Sequence, residues 1–356
     1  MNIVKGLQAG LMLFAVSAQS APLAPLTPPQ GLRPCCAFGY NLQAEMLNIP
    51  IPFYKLDNVV TADDLGNHLY NDSLMAGIAN LAGMGRERNG IIYTSHGGFI
   101  DTAHIRDTAD MTVYLFSQLL PKLGQSFVLR LDDELTERRV VFNDFTPPVD
   151  EDERIALAAW LSANLAFQLA AWHEIAQWYG FASIPGFSEE VSAFSPEDLY
   201  SNLLGARIAV SLICHGNIAT EAAYNRAMDS ALPKALRELG AQPANITRFH
   251  FDMLDGHWWD SKKRVPEKYL VLLRNYDVSD DRLPTAVPGE RAKPWRQSLP
   301  HSWLSYDLDT LAELQLWPGS SMQRLPAPKT YYTVANFLHL ATEARSSDRK
   351  KNRELL

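Results

Sequence analysis

Several features that would identify a reaction are missing from this chain of 356 residues. It contains no GxSxG turn of the serine hydrolases and no glycine-rich motif that would hold a phosphate. Lysine and arginine do not cluster before the basic run 345–353, and the net charge is −8. We therefore expect no covalent serine catalysis, no nucleotide use and no nucleic-acid partner.

Cysteine is also scarce, with only Cys35, Cys36 and Cys214 in the whole chain. In an exported protein this number leaves one thiol unpaired if a bridge forms. One of the first two could pair with Cys214, or the adjacent pair could bond to each other, which needs a strained peptide geometry. Two neighbouring thiolates alone do not make a tetrahedral metal site.

The amino-terminal residues predict export rather than a folded element. Lys5 precedes an apolar run over residues 6–16, and small residues follow it, so residues 1–20 are predicted to be a signal peptide. Residues 21–34 contain five prolines and predict an extended linker. We expect a single domain over residues 35–356 in a periplasmic or secreted protein. A retained amino-terminal anchor is the alternative.

The longest charge-free stretch predicts the centre of the fold. The eighteen residues Ile155 to Trp172 carry no charge, and the acidic residues 150–153 precede them as at a helix start. A helix that is apolar on nearly every side is ordinarily buried. Ser162, Asn164 and Gln168 lower its apolarity, so we expect no membrane span in the mature chain.

Shorter patterns predict the elements around this helix. Helices are expected near 65–82, 101–120, 195–214, 220–232, 233–239 and 332–344, and strands near 90–95, 127–131, 139–142, 249–251 and 269–273. Ser195-Pro196 predicts a capped helix start. The expected class is α+β, mainly α, with a central buried helix, surrounding helices and a small antiparallel sheet.

The first candidate site begins the helix predicted near residue 101. Asp101, His104 and Asp107 are spaced three apart after the glycine pair at 97–98. They could bind a divalent metal such as zinc, or a carboxylate could orient His104 as a general base. The alternative is an N-cap aspartate followed by an exposed helix face.

The second candidate follows the apolar stretch. His173-Glu174 begins like the HExxH motif of zinc peptidases, but Gln177 stands where the second histidine would be. A zinc-peptidase assignment therefore does not follow. His173 could instead meet His104 together with carboxylates of another helix.

Glu197 and Asp198 are the carboxylates that this mixed site would use. The alternative for His173 and Glu174 is a buried pair neutralised by Arg106 or Arg207.

The third candidate is the segment that contains His257, Trp258 and Trp259. Adjacent side chains in an extended chain point to opposite sides, so one tryptophan could pack inward while the other stacks on a sugar ring. These three residues are the predicted substrate-binding group. Core packing of both tryptophans is the alternative.

Four strings together resemble a known family. They are RPCCAFG (33–39), GGFIDTAHIRDTAD (97–110), WHEIAQWYG (172–180) and SAFSPEDLYSNLLGARIA (192–209). They look like the bacterial family catalogued as domain-of-unknown-function family 4056. The resemblance implies export from a Gram-negative cell and one family-wide domain, and it implies no particular activity.

These observations lead to a hydrolase hypothesis. We expect a periplasmic, metal-dependent hydrolase that acts on a cell-envelope component or small molecule. His104 and His173 would be metal ligands or proton-transfer groups, Asp101 a ligating carboxylate, and Glu174 a general base. The competing hypothesis is a non-enzymatic envelope protein that binds a glycan or a protein partner.

Overall fold

A computed structural model describes residues 24–29, 33, 37–46, 48–52, 55–71, 86–183 and 188–354. The predicted signal peptide, Cys35, Cys36 and residues 72–82 of a predicted helix lie outside these ranges. The strands are β1 (Glu45–Met46), β2 (Ile49–Pro50), β3 (Ile91–Thr94), β4 (Gly98–Asp101), β5 (Phe127–Glu134), β6 (Thr136–Phe142), β7 (Asp281–Arg282), β8 (Gln297–Ser298), β9 (Ser302–Trp303), β10 (Tyr306–Asp307) and β11 (Ala312–Pro318). The helices are α1 (Thr102–Leu119), α2 (Glu151–Trp178), α3 (Asp198–Cys214), α4 (Glu221–Glu238), α5 (Ala244–Leu254), α6 (Leu308–Leu311) and α7 (Phe337–Glu354).

Helix α2 is the centre of the domain, as the charge-free stretch predicted. The side chain of Asp150 accepts a hydrogen bond from the Glu153 amide and caps its first turn. The helix packs against α1, α3, α7 and β11. Within the described residues it is the one helix long and apolar enough to cross a membrane, and 72% of that apolar window is buried inside the protein. The mainly helical α+β class is confirmed.

A three-stranded antiparallel sheet, in the order β11-β6-β5, lies against α2. The β5–β6 hairpin was predicted, but β11 was missed. Its alternation of buried Leu314 and Leu316 with more exposed residues is the pattern of a half-buried strand. Val140 of β6 lies opposite both Leu129 and Leu314, so β6 is the central strand.

Helices α1 and α3 approach each other unusually closely. A Cβ atom added at Gly205 would lie 2.2 Å from the carbonyl oxygen of Ile105, so only glycine fits at this crossing. The contact brings the first turn of α1 beside the first turn of α3. The side chains that the two helices present there form the candidate site.

Four element predictions were wrong. The helix expected near 65–82 is absent over residues 65–71, the part of it that the structure describes. Residues 249–251 lie in α5, whose buried Thr247, Phe251 and Leu254 follow helical spacing. The strand predicted at 269–273 is a 3₁₀ turn followed by a single bridge at Val271. The two helices predicted between 220 and 239 are the continuous α4, which contains Pro233.

The described part of the predicted linker is bound to the domain. The Leu26 amide donates to Ser117 Oγ at 3.1 Å, and Gln118 Nε2 donates to the Leu26 carbonyl at 3.0 Å. Residues 24–29 contain no helix or strand, in agreement with an extended segment. This segment lies along α1.

Candidate functional site

Asp101, His104 and Asp198 form a buried cluster at the α1–α3 crossing. One ligand atom from each residue lies within 4.8 Å of the others, close enough for a common metal ion. Asp101 is the N-cap of α1 and accepts a hydrogen bond from the Ala103 amide at 2.7 Å. Asp198 is the first residue of α3. The set combines one imidazole with two carboxylates.

His104 is held as a neutral ring. Its Nε2 lies 3.2 Å from Asp198 Oδ1, and its Nδ1 lies 3.3 Å from Asn202 Nδ2. Burial, reinforced by the positive charge of His173, lowers the pKa of His104 to about 3. The contact with Asp198 is therefore not an ion pair at neutral pH. A neutral imidazole is the form that binds a metal.

Two further carboxyls border this cluster. Glu174 accepts a hydrogen bond from the Phe194 amide at 2.6 Å, and Glu197 accepts one from Ser195 Oγ at 2.8 Å. No described residue donates a hydrogen bond to Glu197 Oε1, whereas the carboxyl of Glu174 lies within hydrogen-bonding reach of Asp198. Both side chains are buried, so the group has more acceptor oxygens than donors around it.

Burial raises the pKa of all three acids that flank the crossing. It raises the pKa of Glu174 to about 7 and that of Glu197 to about 8. Burial and the neighbouring Glu174 and Glu197 hold the pKa of Asp198 well above its ordinary range. A bound cation would favour the ionised forms of these groups.

His173 lies next to the cluster but outside the three-residue donor set. Its Nδ1 hydrogen bonds to Glu134, whose other carboxylate oxygen pairs with Arg138 at 2.8 Å. Burial disfavours a charged His173, but the attraction of Glu134 outweighs it and raises the pKa of His173 to about 9. The sequence analysis missed Glu134, because only the hairpin's position against α2 brings it to His173.

The proposed arginine partners of His173 and Glu174 lie elsewhere. Arg106 donates to Asn89 Oδ1 at 2.5 Å, and Arg207 donates to the Ser298 carbonyl at 2.7 Å. The prediction that one of them neutralises the pair was therefore wrong. Arg274 lies closer and slightly opposes the raised pKa of Glu174, but its hydrogen bonds go to backbone carbonyls.

Asp107 does not join Asp101 and His104. Because Asp101 is a cap in extended conformation, the three side chains do not continue one helical face. Asp107 instead pairs with Arg33 at 2.7 Å on another side of α1. The structure therefore contains Asp101, His104 and Asp198 as one group, with Asp198 in the place that was predicted for Asp107.

The predicted substrate-binding group is divided between surface and core. His257 is exposed, whereas Trp258 and Trp259 are only 8% and 3% exposed. Core packing of both tryptophans, the alternative to a sugar platform, is confirmed, because the chain turns tightly between Asp255 and Trp259 instead of running extended. Both rings pack in a second hydrophobic cluster that includes Phe251.

We expect the metal-free protein to lose stability as the pH rises from about 5 to about 9. In the folded protein the pKa of Glu174 is about 7 and that of Glu197 is about 8. Both carboxyls therefore keep their protons at pH values at which the unfolded chain has already released them. His173 adds stability that is lost as the pH rises through its pKa of about 9. Each proton contributes a slope of up to about 1.4 kcal/mol per pH unit.

Urea unfolding in the presence of a chelator at several pH values measures this slope. Glu197→Gln should flatten it, because the amide cannot release a proton. A free energy of unfolding that stays constant or increases over this range would contradict the assignment of these raised pKa values.

Comparison with known proteins supports the resemblance seen in the four strings. Residues 23–288 match the family described as "Protein of unknown function (DUF4056)". This range contains every member of the Asp101–His104–Asp198 cluster as well as Glu134, His173 and Glu174. No curated protein and no solved structure matches the chain. The chain is a member of the DUF4056 family.

Proposed function

We propose that this protein is a metal-dependent hydrolase of the cell envelope. The observation that carries the proposal is the buried set of Asp101, His104 and Asp198, whose donor atoms lie within 4.8 Å of one another. A neutral imidazole with two carboxylates suits a divalent metal such as zinc. The buried Glu197 Oε1, which has no donor among the described residues, adds a second reason to expect a cation there.

The roles follow from the contacts of each side chain. Asp101, His104 and Asp198 would hold the metal, which when bound polarises the substrate and lowers the pKa of water. Glu174 would be the general base, because it is adjacent to Asp198 and has a pKa of about 7. It would remove a proton from water as the water oxygen attacks the substrate, and then pass that proton to the leaving group.

The proposed substrate is an envelope component, because the amino-terminal sequence predicts export. A surface groove of about 480 Å³ lies at the carboxyl end of α2 and is lined in part by Tyr179, Glu190 and Arg324. The lining of this groove includes none of the donors Asp101, His104 and Asp198, so the proposal gives the groove no role in catalysis. A glycan platform at Trp258 and Trp259 is less well supported, because both rings are buried.

An assay of isolated envelope fractions tests this function. The zinc-loaded protein should convert a peptidoglycan, glycan-ester or phospholipid fraction to products whose masses together exceed the substrate by one water. Glu174→Gln should retain the metal and lose at least about 100-fold in rate, the usual contribution of a general base. Equal rates for the two proteins, or no conversion in any fraction, would count against a hydrolase.

A further inference from the structure

We propose that Glu134 is a positioning residue that aims His173 Nε2 at the metal site, where it donates a hydrogen bond to an anionic oxygen of the bound ligand. The inference rests on the proposed metal site and assigns a role to a residue outside the donor set. It also replaces the predicted role of His173 as a metal ligand. The proposed ligands are molecules with a negatively charged oxygen. This oxygen is either part of the substrate when it binds or is formed during hydrolysis.

Glu134 is itself fixed from several sides. It is the last residue of β5, it is 2% exposed, and the following Leu135 has a positive φ of 56° that closes the hairpin. Arg138 holds one carboxylate oxygen at 2.8 Å. The Trp172 indole donates to the Glu134 carbonyl at 3.1 Å. Two consecutive residues of α2, Trp172 and His173, thus bind the same hairpin residue.

This arrangement determines which nitrogen of His173 remains available. Glu134 accepts the Nδ1 proton, and no described residue hydrogen bonds to Nε2. The ring of Phe181 lies across the imidazole, with 6.0 Å between ring centroids. His104 and Glu174 are close enough to this imidazole to interact electrostatically with it. Nε2 is therefore the nitrogen that Glu134 leaves available to a ligand.

The residual exposure of the two imidazoles supports access for a ligand. His104 and His173 are each 6% exposed, whereas Glu174 and Asp198 are 0% exposed. A ligand that reaches the site would therefore meet the imidazoles before the carboxyls. A hydrogen-bond donor that is already oriented by Glu134 binds an anionic oxygen without reorganisation, which is how enzymes stabilise developing negative charge.

The test separates metal binding from anion binding. Zinc is titrated into the wild type, Glu134→Gln and His173→Gln, and inorganic phosphate is then titrated into each zinc-loaded protein by calorimetry. We expect zinc affinity to change less than about 3-fold, while the phosphate dissociation constant increases about 10-fold or more, the usual contribution of a charged hydrogen bond. Glu134→Asp should restore part of the phosphate affinity.

Glu137→Gln is the matched control, because Glu137 lies on the same hairpin, pairs with Arg139 and has a half-exposed side chain. It should change neither affinity. Equal phosphate affinity in all zinc-loaded variants would overturn the role of Glu134 and leave the metal site standing. Loss of zinc together with phosphate would make His173 a metal ligand and overturn the inference. Failure of the wild type to bind zinc would refute the proposed function, and this inference with it.

Discussion

Replacement of His104 by alanine is expected to lower the affinity for zinc by more than about 100-fold. His104 is the only nitrogen donor of the three-residue cluster, and even residues behind metal ligands usually contribute about 10–100-fold. Asp198→Asn should have a similar effect, because the amide lacks the negative charge. Metal analysis of the purified proteins, followed by competition with a chelator of known affinity, measures the loss.

Two other histidines serve as comparisons for His104→Ala. His173→Ala should keep most of the zinc, because His173 lies outside the donor set. His257→Ala should keep all of it, because His257 is exposed and its neighbours Trp258 and Trp259 belong to the second hydrophobic cluster, not to the candidate metal site. The same zinc content in the His104 variant as in the wild type would eliminate this site as a metal centre.

Arg33→Ala is expected to cost about 3–5 kcal/mol of folding free energy, the usual consequence of removing one partner from a buried ionic group. Arg33 is 4% exposed and contacts Glu87 at 2.6 Å, Asp107 at 2.7 Å and Asp110 at 3.0 Å. Alanine would leave the buried carboxylates of Glu87 and Asp110 and the half-buried carboxylate of Asp107 with too little positive charge. Urea unfolding at neutral pH measures the difference.

The effect should weaken in acid, where the carboxylates become protonated. Burial disfavours the charged form of Glu87, but Arg33 and His68 outweigh it and hold the pKa of Glu87 well below its ordinary value. The stability that this pair supplies is present above the ordinary pKa of a glutamate and is lost as the pH falls. Arg33→Ala should therefore differ least from the wild type at low pH.

Arg88→Ala is the control for Arg33→Ala. Arg88 pairs with Asp64 where both side chains are more than half exposed, so its loss should cost no more than about 1 kcal/mol. If both arginine variants had the same small effect, the contacts of Arg33 would contribute nothing to folding.

Helix α1 carries the candidate metal ligand and the partners of Arg33 on different sides. His104 of α1 faces α3 and the candidate metal site, whereas Asp107 and Asp110 bind Arg33. The amino-terminal segment thus contacts the same helix that supplies the imidazole. The effect of Arg33→Ala on folding can therefore be separated from an effect on the metal site. The measurement is the zinc affinity of the Arg33 variant under conditions in which it is folded.

The sequence by itself determined the elements with strong local signals. The apolar stretch of α2, the hairpin of β5 and β6, and the start of α1 at Asp101 were all predictable, because periodicity, charge-free length and capping are properties of neighbouring residues. The strand patterns at residues 249–251 and 269–273 were misread, because burial after folding overrides local preference.

The composition of the site was decided only by the tertiary structure. Sequence spacing joined Asp107 to His104, but the close crossing at Gly205 brings Asp198 there instead. Ser195 was predicted to cap α3, whereas its hydroxyl donates to Glu197 and the helix begins at Asp198. Residues that are far apart in the chain come into contact through the packing of helices and the position of strands. A local sequence pattern does not specify which distant residues will meet.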